Sequence, residues 1–550
     1  MKWKDFIFYS GLWIFPIILA LMIYIVKMNI FNWNPTKTND YLILIVFSLI
    51  PSIILYIGNL KKKMNGQKDF SFNKVVRFSN TDSYTPSKNR AMYPPIPNEH
   101  LSPYLSDDIM LGVYEGNIVT VPHDEHHTYH MLMCGAPGTG KSTQIISNCI
   151  QNFNITIDHP EPPYQFICVD IKQEIGNLSV NNLKDSEYAV VFNPAIRNYG
   201  WDVYDCLSFD NLGRKPTQDE ILECMTVIAD ALIVNYNEKN KYFTESAKDL
   251  LKGCLIHDYM NGVGFIDTII ALTENSIFNK ISEYVEDSPP GSLTRKFLAN
   301  MAGDTTEAQQ NIISTVRLAI QIFSTSNNLI YNLRDNPNKL QISKLLKTGQ
   351  SLFLSIEEKD LSMYSGLFRL IIAQTLKAIE RRDIREGKST ILLIDEAYRI
   401  GKISDLSNSL ATLRSRKCSI WLIVQSISQL EELYGKEAAR SIIDNCRIKC
   451  ILSCSDPDSA KMISGWAGEF IEEKNSYKKG GLSGTKEHSF TDEHRKVMDE
   501  KDLLLLSYEN EQILFIDGNY FRTDKIMYHA YPELNTLAKR NLISNSLTNN

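Results

Sequence analysis

The chain has 550 residues, 43% of them hydrophobic, enough to bury more than one core. A formal net charge of −6 excludes a globally basic nucleic-acid-binding protein, although a local basic channel inside an oligomer remains compatible with it. Ten cysteines in a chain read as mainly cytosolic point to reduced thiols, not to a disulfide framework.

The first expected elements are two uncharged stretches, Phe6 to Val26 and Tyr41 to Leu60. Each has about the 20 residues a transmembrane helix needs. The first is too long for the apolar core of a cleaved signal peptide, and no small-x-small cleavage site follows it. Lys2 and Lys4 precede the first span and Lys61-Lys62-Lys63 follows the second. The loop between holds only Lys27 and Lys37, opposed by Asp40. The positive-inside rule therefore expects residues 1–63 to anchor the chain in the inner (cytoplasmic) membrane, with both ends and all later residues in the cytoplasm. Residues 64–108 read as a polar, proline-containing linker.

Residues 109–205 read as the first part of an α/β nucleotide-binding domain. Tyr129 to Cys134 is expected to be a short buried strand and Ser142 to Ile150 a helix. Between them lies Gly135-Ala136-Pro137-Gly138-Thr139-Gly140-Lys141-Ser142, followed by Thr143. This run fits G-x-x-x-x-G-K-[ST], the phosphate-binding loop of nucleoside triphosphatases. Glycines let backbone N–H groups turn inward around a phosphate, Lys141 reaches the β/γ oxygens, and Ser142 can hold Mg²⁺. Phe166 to Asp170 and Tyr188 to Phe192 are further expected strands.

The character changes after Tyr204. Thr217 and Glu220 form a capping box before an expected helix reaching about Val234. Phe243 to Tyr259, Ile266 to Leu272, Ile277 to Tyr284 and Ala308 to Phe323 also carry helical spacing. Residues 206–338 therefore read as an all-α insertion. Residues 339–531 return to α/β, with strands expected at Ser351 to Ile356, Ile391 to Ile394, Ser419 to Gln425, Ile448 to Ser453 and Gln512 to Ile516. Residues 473–488, rich in Lys, Gly and Ser, read as mobile, and 532–550 as a polar tail.

Hydrolysis needs more than the loop. Asp395 follows four apolar residues, the Walker B pattern, where a carboxylate orients Mg²⁺. Glu396, one residue on, can polarise a water for in-line attack. Gln425 ends the next strand, where a polar group can sense the γ-phosphate or position water. Arg414 and Arg416 precede that strand, and an arginine donated across a subunit interface can neutralise transition-state charge. Cys446, Cys450 and Cys454 lie on or beside an expected strand and read as small buried side chains. His123, His126, His127 and His130 lack a nearby cysteine or carboxylate set typical of a metal site.

These residues together resemble the coupling proteins of type IV secretion, the TraG/TraD family of conjugative ATPases. Several segments carry the resemblance: Asp108 to Gly112 with Gly116, Asp170 to Glu174, Val191 to Pro194, and Phe243 to Ala247. The extended Walker B Asp395 to Gly401 and the run Gln425 to Leu430 with Tyr434-Gly435 add to it, followed by Asp444 to Cys446 and Ser464-Gly465. Gln173 stands where the family usually has glycine, Ser419 where glycine follows its Arg-Gly-Tyr run, and Arg416 matches that arginine. No Gly-x-Ala-x-Trp-Ala segment is found before the domain's entry. The resemblance implies a RecA-like ATPase domain with an inserted all-α domain behind two transmembrane helices. It further implies a homohexamer that uses ATP and Mg²⁺, receives single-stranded DNA with its relaxase or protein substrates, and delivers them to channel components. It assigns Glu396, Lys141, Gln425 and Arg416 to catalysis, residues Gly135 to Thr143 to nucleotide, and Ser142 and Asp395 to metal. Two alternatives are an FtsK-like DNA translocase, which typically ends in a winged-helix module, and a receptor that binds ATP without translocating.

Overall fold

A computed structural model describes residues 93–548 apart from 125–126, 157–158, 181–185, 235–240, 275, 303–305, 480–485 and 507–509. The two expected membrane spans and most of the expected linker lie outside the described residues. Among the described residues, no helix is long and apolar enough to cross a membrane.

Twelve strands form one sheet. They are β1 (Leu101–Ser102), β2 (Ile109–Tyr114), β3 (Asn117–Val121), β4 (Met131–Cys134), β5 (Gln165–Asp170), β6 (Ala189–Phe192), and, after the two short strands β7 (Gly200–Trp201) and β8 (Lys339–Leu340), β9 (Ser351–Ser355), β10 (Thr390–Ile394), β11 (Cys418–Val424) and β12 (Ile448–Ile451). Beyond a hairpin of β13 (Glu469–Lys479) and β14 (Lys486–Lys496), β15 (Glu511–Ile516) and β16 (Asn519–Asp524) complete the sheet. The order is β1-β3-β2-β16-β15-β12-β4-β11-β10-β5-β9-β6. From β12 to β6 every neighbouring pair is parallel; from β12 back to β1 every pair is antiparallel.

The parallel strands are buried on both faces, as their continuous apolar runs require. Successive residues alternate between two cores. Leu132, Leu392 and Ile394 face the core shared with the helical segment. Met131, Ile391 and Leu393 face the core shared with the helix Lys141–Asn152. Ligands of such sheets bind beyond the carboxyl ends of the strands, and that is where the motifs fall.

From Asp205 to Asp335 the described residues contain helices and no strand. The Thr217–Glu220 capping box forms as expected, with Glu220 N donating to Thr217 Oγ1 and Thr217 N to Glu220 Oε2. β7 and β8 pair in parallel at the base of this segment, Gly200 beside Lys339 and Trp201 beside Leu340. A Cβ at Gly200 would lie 2.4 Å from the Asn332 carbonyl oxygen, so only glycine fits there. The helices do not pack alone: Ile228, Leu251 and Phe323 belong to the same core as one face of the sheet.

Two segments carry secondary structure that the sequence reading did not expect. Residues 473–488, read as mobile, lie largely in the β13–β14 hairpin, whose register runs from Glu469↔Lys496 to Lys479↔Lys486. Backbone pairing does not need an apolar side-chain pattern, so polar composition misled. The polar tail is instead the helix Pro532–Thr548. It buries Leu534 and Ala538, one helical turn apart, and Asn541 Nδ2 donates to the Leu178 carbonyl at 2.6 Å.

Candidate nucleotide site

Parallel register brings the separated motifs to one edge. Val424 pairs with Cys134, so Gln425 follows β11 where Gly135 follows β4. Ile394 pairs with Val169, so Asp395 follows β10 beside Asp170 at the end of β5. Segments more than 220 residues apart thus meet on neighbouring strands.

The loop between β4 and the helix Lys141–Asn152 has the backbone its glycines permit. Gly138 and Gly140 have φ of +79° and +96°, conformations costly for other residues. A Cβ at Gly135 would lie 2.7 Å from Thr139 Oγ1. The Ala136 amide donates to Ser453 Oγ at 2.7 Å, tying the loop to the end of β12. Lys141 is buried and folds back on its own loop, donating to the carbonyls of Gly135 and Ala136, the latter at 3.0 Å. Burial lowers its pKa, against the opposing pull of Glu396 and Asp395.

Asp395 is 3% exposed. Burial, then the charges of Asp170 and Glu396, push its carboxyl up to about 7, with Lys172 and Lys141 acting the other way. Asp170 is likewise raised to about 6 by burial, although it accepts from the Gly176 amide at 2.8 Å. A cation nearby would favour the charged form of both acids, although among the described residues no three His, Cys, Asp or Glu side chains are grouped to hold a metal by themselves. Glu396 sits in the left-handed region at φ +49°, a strained backbone of the kind found at working sites. Its Oε2 accepts from Gln425 Nε2 at 3.3 Å, and Lys172 Nζ lies 3.8 Å from its Oε1.

A cavity of about 440 Å³ collects Pro137 to Thr143, Lys172, Asp395 and Glu396. Ser142 and Asp395, the expected metal-holding pair, both line it. So do Asn510, Lys525, Met527 and His529, which sequence reasoning missed. Asn510 precedes β15 and the other three follow β16, antiparallel strands whose position beside the loop is set by tertiary topology and announced by no local motif. Lys172 was visible two residues after the acid that ends β5, but only as part of a family segment.

Arg416 is placed elsewhere. It ends the turn Leu413–Arg416, just before β11 begins at Cys418, whereas Gln425 follows the other end of that strand. Seven strand residues span roughly 23 Å. Arg416 therefore cannot serve the loop of its own chain. Cys446, Cys450 and Cys454 are buried, as expected of small apolar side chains. His130 Nδ1 accepts from the Ile420 amide at 2.9 Å, a structural role between β4 and β11.

The signature of the type IV secretory system conjugative DNA transfer family matches residues 98–549. The chain belongs to this family. It is therefore a coupling-protein relative by descent as well as by motif. It is 21% identical over 441 residues to the type IV secretion system-coupling protein VirD4 of Bartonella quintana (strain Toulouse), covering 77% of this chain and 66% of that protein. It is 27% identical over 173 residues to the conjugal transfer protein TraG of Agrobacterium fabrum (strain C58 / ATCC 33970), covering 31% of this chain and 26% of that one. The chain thus spans just under two thirds of the first of these relatives. Among solved structures, the unbound bacterial conjugative coupling protein TrwBdeltaN70 superposes with a TM-score of 0.59 at 16% identity, over 77% of this chain and 89% of that one. TrwB in complex with ADP and Mg²⁺ gives 0.58 at 15% identity, over 81% and 92%. The α/β ATPase fold is shared with these proteins.

Proposed function

We propose that this family member is an ATP hydrolase, anchored in the cytoplasmic membrane by residues 1–63, that recruits relaxase-bound single-stranded DNA and drives it to a type IV secretion channel. One observation carries the catalytic part of this reading: Lys141, Asp395, Glu396 and Gln425, from three different segments, meet at the ends of β4, β10 and β11.

The residues fit a magnesium nucleotide. Backbone N–H groups of Gly138 to Ser142 and the helix start behind them would hold the phosphates. Lys141 would exchange the carbonyls of Gly135 and Ala136 for the β/γ oxygens. Ser142 and Asp395 would hold Mg²⁺, which when bound neutralises phosphate charge. Glu396, aimed into the cavity by its left-handed backbone, would take the proton of the attacking water. Gln425 would fix the orientation of that carboxylate through the hydrogen bond it already makes.

Arg416 would complete the site of a neighbouring subunit in a homohexamer, since it lies at the far end of β11 from its own loop. Such arginines contribute about 10³–10⁵ in rate where they operate. DNA would be held through its backbone, weakly sequence-specific and sensitive to salt. The test is ATP hydrolysis and DNA transfer by Lys141→Ala. The proposal expects both to be lost while membrane insertion is retained. Transfer equal to the unsubstituted chain would overturn it.

A further inference from the structure

A second cavity of about 440 Å³ adjoins the phosphate-binding loop. It shares Thr143, Lys172 and Glu174 with the first, so the two lie side by side. Their linings differ in chemistry. The first carries Lys141, Lys172, Lys525, Asp395 and Glu396. The second adds Ile146, Leu178 and the ring of Tyr528 to the amides Gln173 and Asn177. A charged compartment beside a part-apolar, aromatic one matches the two halves of a nucleotide. Small-molecule sites combine apolar walls with a few polar groups in this way.

Direction supports the match. The free N–H groups at the start of the helix Lys141–Asn152 face the phosphates. Thr143, in that first turn, is where the two cavities meet. A triphosphate held by Gly138 to Ser142 therefore leads its nucleoside past Thr143 into the second cavity. The segment after β16 is built across both. Met527 Cε lies 3.4 Å from where a Cβ would stand on Gly140, so it covers the loop. Tyr528, the next residue, lines the second cavity instead. Its position is fixed by a short turn, in which Ala530 N donates to the Met527 carbonyl at 2.9 Å and Tyr531 N to the Tyr528 carbonyl at 3.2 Å. The His529 ring meets it edge to face, with centroids 5.5 Å apart.

We propose that the second cavity is the nucleoside subsite and that the Tyr528 ring is the stacking surface for the base. The assignment rests on the nucleotide reading of the loop, and the test separates the two. Binding of ATP and of inorganic tripolyphosphate to the full-length chain is measured by calorimetry. Tyr528→Ala is expected to weaken ATP about tenfold, the usual scale of a lost base–aromatic stack, and to leave tripolyphosphate unchanged. Tyr528→Phe, which keeps the ring, retains ATP affinity. Equal loss for both ligands, or no loss for ATP, overturns the subsite. Lys141→Ala is expected to lose both ligands; unchanged binding of both overturns the loop reading and the subsite with it. Photolabelling of the unsubstituted chain with 8-azido-ATP needs no variant. Label is expected on peptides holding Tyr528 or residues 173–178, and label confined to other segments overturns the proposal.

Discussion

Replacing Gln425 by glutamate tests whether Glu396 is the group that must be ionised for turnover. Gln425 Nε2 donates to Glu396 Oε2 at 3.3 Å. Gln425→Glu replaces that donor with a second carboxylate of nearly the same shape and reach. Two unit charges at this separation repel by about 5 kcal/mol at an effective dielectric of about 20. Lys172, 3.8 Å from the other oxygen of Glu396, offsets part of this. Between half and all of it, about 2.5–5 kcal/mol, holds one proton on the pair across roughly two to four pH units above the usual glutamate value. The pair then titrates as a unit and releases that proton between about pH 6 and 8. A protonated Glu396 cannot accept a proton from water, so at pH 6.5 kcat for ATP falls with the protonated fraction of the pair, by up to about thirtyfold. Raising the pH removes the shared proton, and turnover recovers. Gln425→Ala loses the hydrogen bond without adding charge, so its loss is smaller and its profile over the same range is flat. The assay is steady-state ATP hydrolysis between pH 6.5 and 9 for both variants. Parallel pH profiles for Gln425→Glu and Gln425→Ala would refute the role given to Glu396.

Gln173 occupies a left-handed position at φ +59° where the family usually has glycine. Gln173→Gly is therefore expected to preserve or slightly raise stability, whereas the β-branched Gln173→Val should cost about 1–3 kcal/mol in denaturant unfolding. Burial holds both His123 and His130 down to about 4, so they stay neutral in the folded chain while the unfolded chain takes up protons below pH 6.5. Their contribution to stability is full above pH 6.5 and is lost as pH falls towards 4, about 2 kcal/mol each by pH 5. Thermal unfolding should follow that slope, and His130→Asn, which keeps an acceptor for the Ile420 amide, should reduce it by about half. Under the proposed arrangement, in which one subunit supplies the arginine and its neighbour the carboxylate, Arg416→Ala and Glu396→Gln should each abolish hydrolysis, and coexpressing the two should restore part of it; mixtures as inactive as either alone would remove Arg416 from the site.

Legibility in the sequence tracked the range of the forces involved. The loop Gly135 to Ser142 and the apolar runs ending in Asp395 and Gln425 are local patterns, and each was placed by spacing alone. That β10 and β11 lie beside β5 and β4, bringing Asp395 next to Asp170, is a matter of register between distant segments. The run β15–β16, which carries Lys525, Met527 and Tyr528 to the loop, has no motif of its own. The β13–β14 hairpin was missed because backbone pairing can be written in polar residues. The helix Pro532–Thr548 was missed because its apolar residues are interleaved with polar ones, and one of its buried residues, Asn541, is itself polar. Arg416 was visible as a residue type, but only the direction of β11 shows that it faces away from its own site.

In the proposed function, ATP turnover at Glu396 powers substrate transfer. Glu396→Gln keeps the shape of the side chain and removes its charge. Conjugative transfer from cells carrying Glu396→Gln in the full-length chain, measured beside ATP hydrolysis by the same purified variant, tests that claim directly. The account predicts nucleotide still bound, hydrolysis abolished and transfer abolished with it. Transfer at the unsubstituted level with hydrolysis gone would contradict it, and would leave the protein a docking platform that binds ATP without using it as fuel.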